Sequence, residues 1–180
     1  MTIICPCDAN EMKNLMFKTS NHKGPIYIRL AKGGDEIITK KIRSFNIGKA
    51  ISFGNFKDIL ILSTGVMSQI ALKVKKRLEK ENINCSVAHF NTIKPLDENF
   101  LKKTIPKCKR IFTLEEHILS GGFGSSILEF CSDKLKKHVN KITRIGIRDG
   151  FVEKYGNQEL LLDYFNLNEK TIFKNIKRHL

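Results

Sequence analysis

From Asp58 onward the chain alternates short apolar runs with segments whose apolar residues recur every three or four positions. Ile59–Ser63 is a continuous apolar run closed by Thr64-Gly65, which predicts a buried strand. The next segment carries Met67, Ile70, Ala71, Val74 and Leu78 on one face of a helix. Residues 86–90 predict a second strand, and Pro95-Leu96-Asp97 supplies the proline and the cap that start a short helix. A third strand is expected over 110–114. Gly121-Gly122 then opens a long helix that buries Ile127, Leu128, Cys131 and Leu135. A fourth strand over 143–147 and closing helices near 158–165 and 169–178 complete the series. This alternation predicts an α/β fold of three layers, a mostly parallel open sheet with helices on both faces.

Upstream the pattern is broken. Residues 2–5 read as a short buried strand ended by Pro6; Asp8 can cap the following helix, and Glu11 completes a capping box in outline. That helix places Met12, Leu15 and Met16 on one face. After the Gly24-Pro25 turn, residues 26–30 form another strand. Two parallel strands and one helix do not make a stable sheet alone, so residues 1–32 are expected to be the tail of an incomplete domain. Residues 33–57 hold four glycines and short β-rich pieces at 36–39 and 50–53, which predicts a linker of hairpin character. The regular domain then occupies 58–180.

Composition narrows the class. The 180 residues are 41% hydrophobic and 28% charged, as in an ordinary globular domain. No run approaches the ~20 apolar residues of a membrane span. The apolar N-terminus lacks the basic leader of a signal peptide, so a cytoplasmic location is expected. Five scattered cysteines read as reduced core residues, and Cys5-Pro6-Cys7 has no second Cys or His pair at metal-ligand spacing. The net charge of +14 comes mostly from lysines spread along helices. Without interleaved aromatics or a groove-entering motif it predicts solvated faces, not a nucleic-acid or membrane partner.

The candidate chemistry lies where the strands' C-terminal ends should meet. Ser63-Thr64-Gly65, Asn91-Thr92, Glu115-Glu116-His117 and Ser120–Ser125 converge there, at the edge where open α/β sheets take ligands. Gly121, Gly122, Gly124 and Ser125 at a helix start offer backbone N–H groups to an anion, but the Gly-Lys-Ser/Thr ending of a nucleotide loop is missing. Close helix–sheet packing explains the same glycines. Glu115 and Glu116 leave the strand on opposite faces and should not share a proton; one can cap the next helix or pair with a base. His117 has no obvious nucleophile beside it, so a structural or interface role is expected for Glu116 and His117.

These residues carry a resemblance. Residues 1–11, with the Cys5-Pro-Cys-Asp-Ala-Asn-Glu11 string, and Gly24-Pro-Ile-Tyr-Ile-Arg-Leu-Ala-Lys-Gly33 resemble the end of the pyrimidine-binding domain of transketolase-like enzymes. Thr92-Ile-Lys-Pro-Leu-Asp97, Leu114-Glu-Glu-His117, Gly121-Gly-Phe-Gly-Ser125 and Gly146-Ile-Arg-Asp-Gly-Phe151 resemble that family's C-terminal domain, in order and at its spacing. The resemblance implies transfer of a two-carbon unit between sugar phosphates, with thiamine diphosphate and Mg in the full enzyme, and a homodimer. Synthesis of 1-deoxy-xylulose-5-phosphate and the 2-oxoacid dehydrogenase beta subunit are the family's alternatives. The Gly-Asp-Gly motif that binds the diphosphate and the glutamate that activates the aminopyrimidine have no counterparts here. The chain is therefore expected to bind no cofactor or metal alone, to hold no catalytic residue, and to work with a partner carrying the missing N-terminal section. At Lys32 the family commonly has an Arg for substrate phosphate; Lys keeps the charge without the bidentate fork. Arg148-Asp149 departs from the usual Pro-Asp, which leaves that loop less rigid. A free-standing module using the Gly121–Ser125 edge for an anion is the alternative of another class.

Overall fold

A computed structural model describes residues 1–42 and 44–180. Its strands are β1 (Thr2–Ile4), β2 (Ile26–Ile28), β3 (Ile51–Phe53), β4 (Ile59–Ser63), β5 (Cys85–His89), β6 (Thr92–Lys94), β7 (Arg110–Ile118) and β8 (Ile142–Ile147). The helices are α1 (Ala9–Thr19), α2 (Met67–Lys80), α3 (Glu98–Thr104), α4 (Phe123–Lys134), α5 (Gln158–Tyr164) and α6 (Glu169–Arg178). Among the described residues no helix is long and apolar enough to cross a membrane.

Two sheets form. The larger has the order β3-β5-β4-β7-β8, in which β5, β4, β7 and β8 run parallel and β3 pairs antiparallel at the edge. Along β4 the side chains alternate: Ile59 and Ile61 enter a core with α2 and α6, while Leu60 and Leu62 enter another with α3 and α4. Both faces are thus covered, as an all-apolar parallel strand requires. The expected three-layer α/β architecture is present, and α6 occupies the predicted residues.

The smaller sheet has the order β2-β1-β6. β1 and β2 pair in parallel, and β6 adds to β1 antiparallel from the C-terminal domain. This last strand was not expected, because its partner lies far back in the chain. Two further corrections concern the first 57 residues. Met16 does not join Leu15 in the core; Leu15 is fully buried, whereas Met16 is 47% exposed. The stretch over 33–57 forms no hairpin among the described residues: β3 pairs with β5, and 36–39 is not a strand. Asp8 organises that stretch instead, since its carboxylate accepts the N–H groups of Ile38 and Thr39 and the Thr39 hydroxyl, each at 2.8 Å. It also caps α1 through the Glu11 N–H at 2.8 Å.

Candidate functional site at the joint between the two sheets

Following β4, the chain crosses to β5 on one side and returns to β7 on the other. The reversal in strand order therefore lies between the C-terminal ends of β4 and β7, where a doubly wound sheet opens a crevice for ligand. Here the N-terminal unit fills it. The Cys5 carbonyl accepts the Gly65 N–H at 3.2 Å, and the Cys5 N–H donates to the Asn91 carbonyl at 2.7 Å. The Arg29 guanidinium donates to the Glu116 carbonyl. A cavity of about 40 Å³ remains among Cys5, Pro6, Arg29, Thr64, Gly65 and Glu116. That is little more than room for a water molecule.

Beneath this plug lies a buried polar chain. Glu11 Oε2 accepts from the Cys7 N–H at 2.8 Å and meets His89 Nε2 at 2.8 Å, and Glu11 Oε1 accepts from Asn91 Nδ2 at 3.0 Å. His89 Nδ1 contacts Ser68 Oγ at 2.6 Å, which contacts Ser63 Oγ at 2.8 Å. Glu11, Ser63, Ser68, His89 and Asn91 are all fully buried. Burial pushes the Glu11 carboxyl up, but the His89 charge and the bonds from His89, Cys7 and Asn91 outweigh it and hold the carboxyl below its ordinary value. The Cys7 thiol is driven far up, by burial first and then by the carboxylates of Glu11 and Asp8. Donor atoms of Cys7, Glu11 and His89 lie within 4.8 Å of one another, a trio that spacing along the chain did not suggest. Glu11 and His89 are already satisfied by hydrogen bonds.

The sequence had placed Glu11 in a capping box. In the structure only Asp8 caps the helix, and the Glu11 side chain turns to the Cys7 N–H and the joint. In the sequence His89 is one residue of a predicted buried strand. The available signal was that a histidine and an asparagine in an otherwise apolar run must find buried partners.

The glycine-rich loop is also taken from within. Glu115, buried in the C-terminal half of β7, accepts the Phe123 N–H at 2.7 Å and the Gly124 N–H at 2.8 Å. A Cβ on Gly122 would lie 2.3 Å from Glu115 Oε2 and 2.5 Å from the Ile118 carbonyl, so only glycine permits this approach. The free N–H groups expected at the helix start are thus bonded to the protein's own carboxylate. Burial pushes the Glu115 carboxyl above its ordinary value, although these two N–H groups pull it down. Glu116 is likewise raised by burial, against the Gln158 amide at 2.9 Å and the Arg29 charge.

The remaining candidates are spread out. His117 is exposed, with Nδ1 2.9 Å from the Ile118 carbonyl. Gly121 is exposed, and the Ser125 hydroxyl donates to the Leu119 carbonyl at 2.7 Å while meeting Arg144 at 2.9 Å. Lys32 is exposed beyond β2 and does not line the small cavity. An open groove of about 820 Å³ lies elsewhere, between α2, α5 and α6. There Lys73, Arg77 and Lys174 face Glu159, Asp163 and Glu169, so it has no net preference for either sign of charge.

Members of the transketolase family use thiamine diphosphate. The residues present do not fit that group: the switch-point crevice is plugged by Cys5 and Pro6, and the glycine-rich helix start is bonded to Glu115.

Comparison with known proteins agrees with the fold. The family model for the transketolase C-terminal domain matches residues 48–172. A 1-deoxy-D-xylulose-5-phosphate synthase of Clostridium tetani is 31% identical over 178 residues, covering 99% of this chain and 28% of its own. A Methanocaldococcus jannaschii protein, provisionally named a transketolase C-terminal section, is 33% identical over 179 residues, covering 98% of this chain and 54% of its own. A solved structure described as a split gene transketolase, inactive beta4 tetramer, superposes with a TM-score of 0.89 at 27% identity. The match covers 99% of this chain and 57% of that one. The chain thus spans from about a quarter to just over half the length of these relatives. It belongs to the transketolase C-terminal domain family.

Proposed function

We propose that this chain is the C-terminal section of a transketolase-type, thiamine diphosphate-dependent transferase that moves a two-carbon ketol unit between sugar phosphates. It packs domains and assembles the dimer, and it is inactive alone. Residues 1–32 serve as the tail of the pyrimidine-binding domain, 33–57 as the connecting stretch and 58–180 as the C-terminal domain. The observation that carries this reading is the plugged crevice: the sheet edge that would take a ligand is occupied by Cys5, Pro6 and Arg29. The Glu11–His89 pair ties the two parts together beneath it. Lys32 is exposed and carries the charge proposed for substrate phosphate. Glu116, His117 and the Gly121–Ser125 edge act in packing and assembly.

Synthesis of 1-deoxy-D-xylulose-5-phosphate is the second reading, because relatives so named, 31% and 34% identical, match 99% and 98% of the chain. Both readings predict no thermal shift with thiamine diphosphate and Mg for the chain alone. They predict transferase activity once the chain is co-purified with a section carrying the cofactor site. The product separates them, a transferred ketol unit or 1-deoxy-D-xylulose-5-phosphate. Tight cofactor binding and turnover by the isolated chain would overturn both.

A further inference from the structure

Cys7, Glu11 and His89 come from three places in the chain: the turn before α1, the first turn of α1 and the last residue of β5. All three side chains are buried, and a donor atom of each lies within 4.8 Å of the other two. Thiolate sulfur, carboxylate oxygen and imidazole nitrogen together make a ligand set suited to zinc. Tetrahedral zinc keeps such donors about 3.4–3.6 Å apart, so Glu11 Oε2 and His89 Nε2, now 2.8 Å apart, need to part by about 0.6 Å.

The trio is surrounded by a finished outer shell. His89 Nδ1 meets Ser68 Oγ at 2.6 Å, the kind of bond a ligating histidine makes with its second nitrogen. The Glu11 carboxylate holds the Asn91 amide at 3.0 Å and the Cys7 N–H at 2.8 Å, bonds that a bound ion leaves in place. The Cys7 carbonyl accepts from Gln69 Nε2 at 2.9 Å, so the backbone carrying the thiol is pinned on both sides. Charge also balances. One proton stays on the Cys7 thiol, retained by burial and then by the carboxylates of Glu11 and Asp8. A second lies on His89 Nε2, which faces an ionised carboxylate that can only accept. With His89 charged, a divalent ion that displaces both protons leaves the net charge of the closed pocket unchanged. No uncompensated charge is buried.

We propose that Cys7, Glu11 and His89 form a zinc site that fastens the N-terminal unit to the large sheet. The ion binds Cys7 Sγ, a Glu11 carboxylate oxygen and His89 Nε2, with water in the fourth position. The two displaced protons pass to solvent, and the Nδ1 proton stays on the bond to Ser68. Because the trio is closed to solvent, zinc enters as the joint forms and leaves when it opens. The inference goes beyond the transferase reading and stands without it.

The test expresses the full 180-residue chain in medium supplemented with zinc or with cobalt, washes it with EDTA and measures its metal content. About one ion per chain is expected, and the cobalt form shows a thiolate-to-cobalt charge-transfer band. Cys7→Ser removes that band and lowers the metal content at least about tenfold. Cys131→Ala, in the core beneath α4, changes neither. X-ray absorption at the zinc edge reads the unsubstituted chain without any variant, with one sulfur at about 2.3 Å and three lighter donors at about 2.0–2.2 Å. A chain that retains neither zinc nor cobalt overturns the proposal, as does a band that survives Cys7→Ser. A shell of nitrogen and oxygen alone also overturns it, by placing the ion on surface histidines. Two or more sulfurs in the shell do the same, by placing it at another set of thiols.

Discussion

The five-stranded sheet buries fifteen apolar residues with α2 and α6 on one face and twelve with α3 and α4 on the other, among the described residues. The N-terminal unit begins with the same strand–helix–strand order, yet its core holds three: Ile4, Leu15 and Phe45. What separates the two regions is the source of their stability. The large sheet is held by area removed from water, spread over both faces. The small one borrows a strand from its neighbour, β6, and is fastened by a few buried polar bonds. A region of this second kind is only as firm as its fasteners.

The largest effect should come from the fastener itself. Glu11→Ala leaves His89 buried without its partner and should cost about 3–5 kcal/mol in urea unfolding; a loss under about 1 kcal/mol would show that the joint is held otherwise. Next come the two cores. Leu62→Ala, in the twelve-residue cluster, should cost about 3–5 kcal/mol, whereas Leu15→Ala should fall near 2 kcal/mol because its thin surroundings can collapse. Equal losses would erase the distinction between the regions. Gly122→Ala should cost about 1–3 kcal/mol through the clash with Glu115 and Ile118, a core-side effect that leaves the joint intact.

The smallest effect is a pH slope. Glu11 is held below its ordinary value in the fold, so its ionised form adds stability above the unfolded carboxylate value. That contribution disappears as pH falls through the lower folded value. Glu115 and Glu116 are raised and act in the opposite sense: their contribution is present below the unfolded value and is lost as pH rises through the folded ones. The Glu11 contribution alone lowers urea midpoints as pH falls, so from pH 7 downward Glu11→Gln should lose less stability relative to its own pH 7 value than the unsubstituted chain does. An unchanged slope would remove the buried pair from the account.

The same division governs what could be read from sequence. β4 and α6 are legible to the residue, because an unbroken apolar run and a single apolar stripe are local signals. The cap at Asp8 is legible for the same reason. β6 is not, since its three residues carry no pattern until β1 lies beside them. The glycine-rich loop is legible as a tight approach of helix to sheet, but the group it approaches, the Glu115 carboxylate, is set by the register of β7 in the sheet. Of the joint, the sequence signals only a local role for Glu11, because its partner His89 lies 78 residues away and meets it through the fold.

All five thiols are buried, and burial holds each above its ordinary range, with Cys85 at about 12 and Cys108 and Cys131 at about 11. Two of them, Cys5 and Cys7, lie in the joint, and the other three sit in the large cores. The molecule therefore carries its own timer for separation of its parts. Under an alkylating reagent, label on the first pair ahead of the others would record the units parting while the main sheet stays folded.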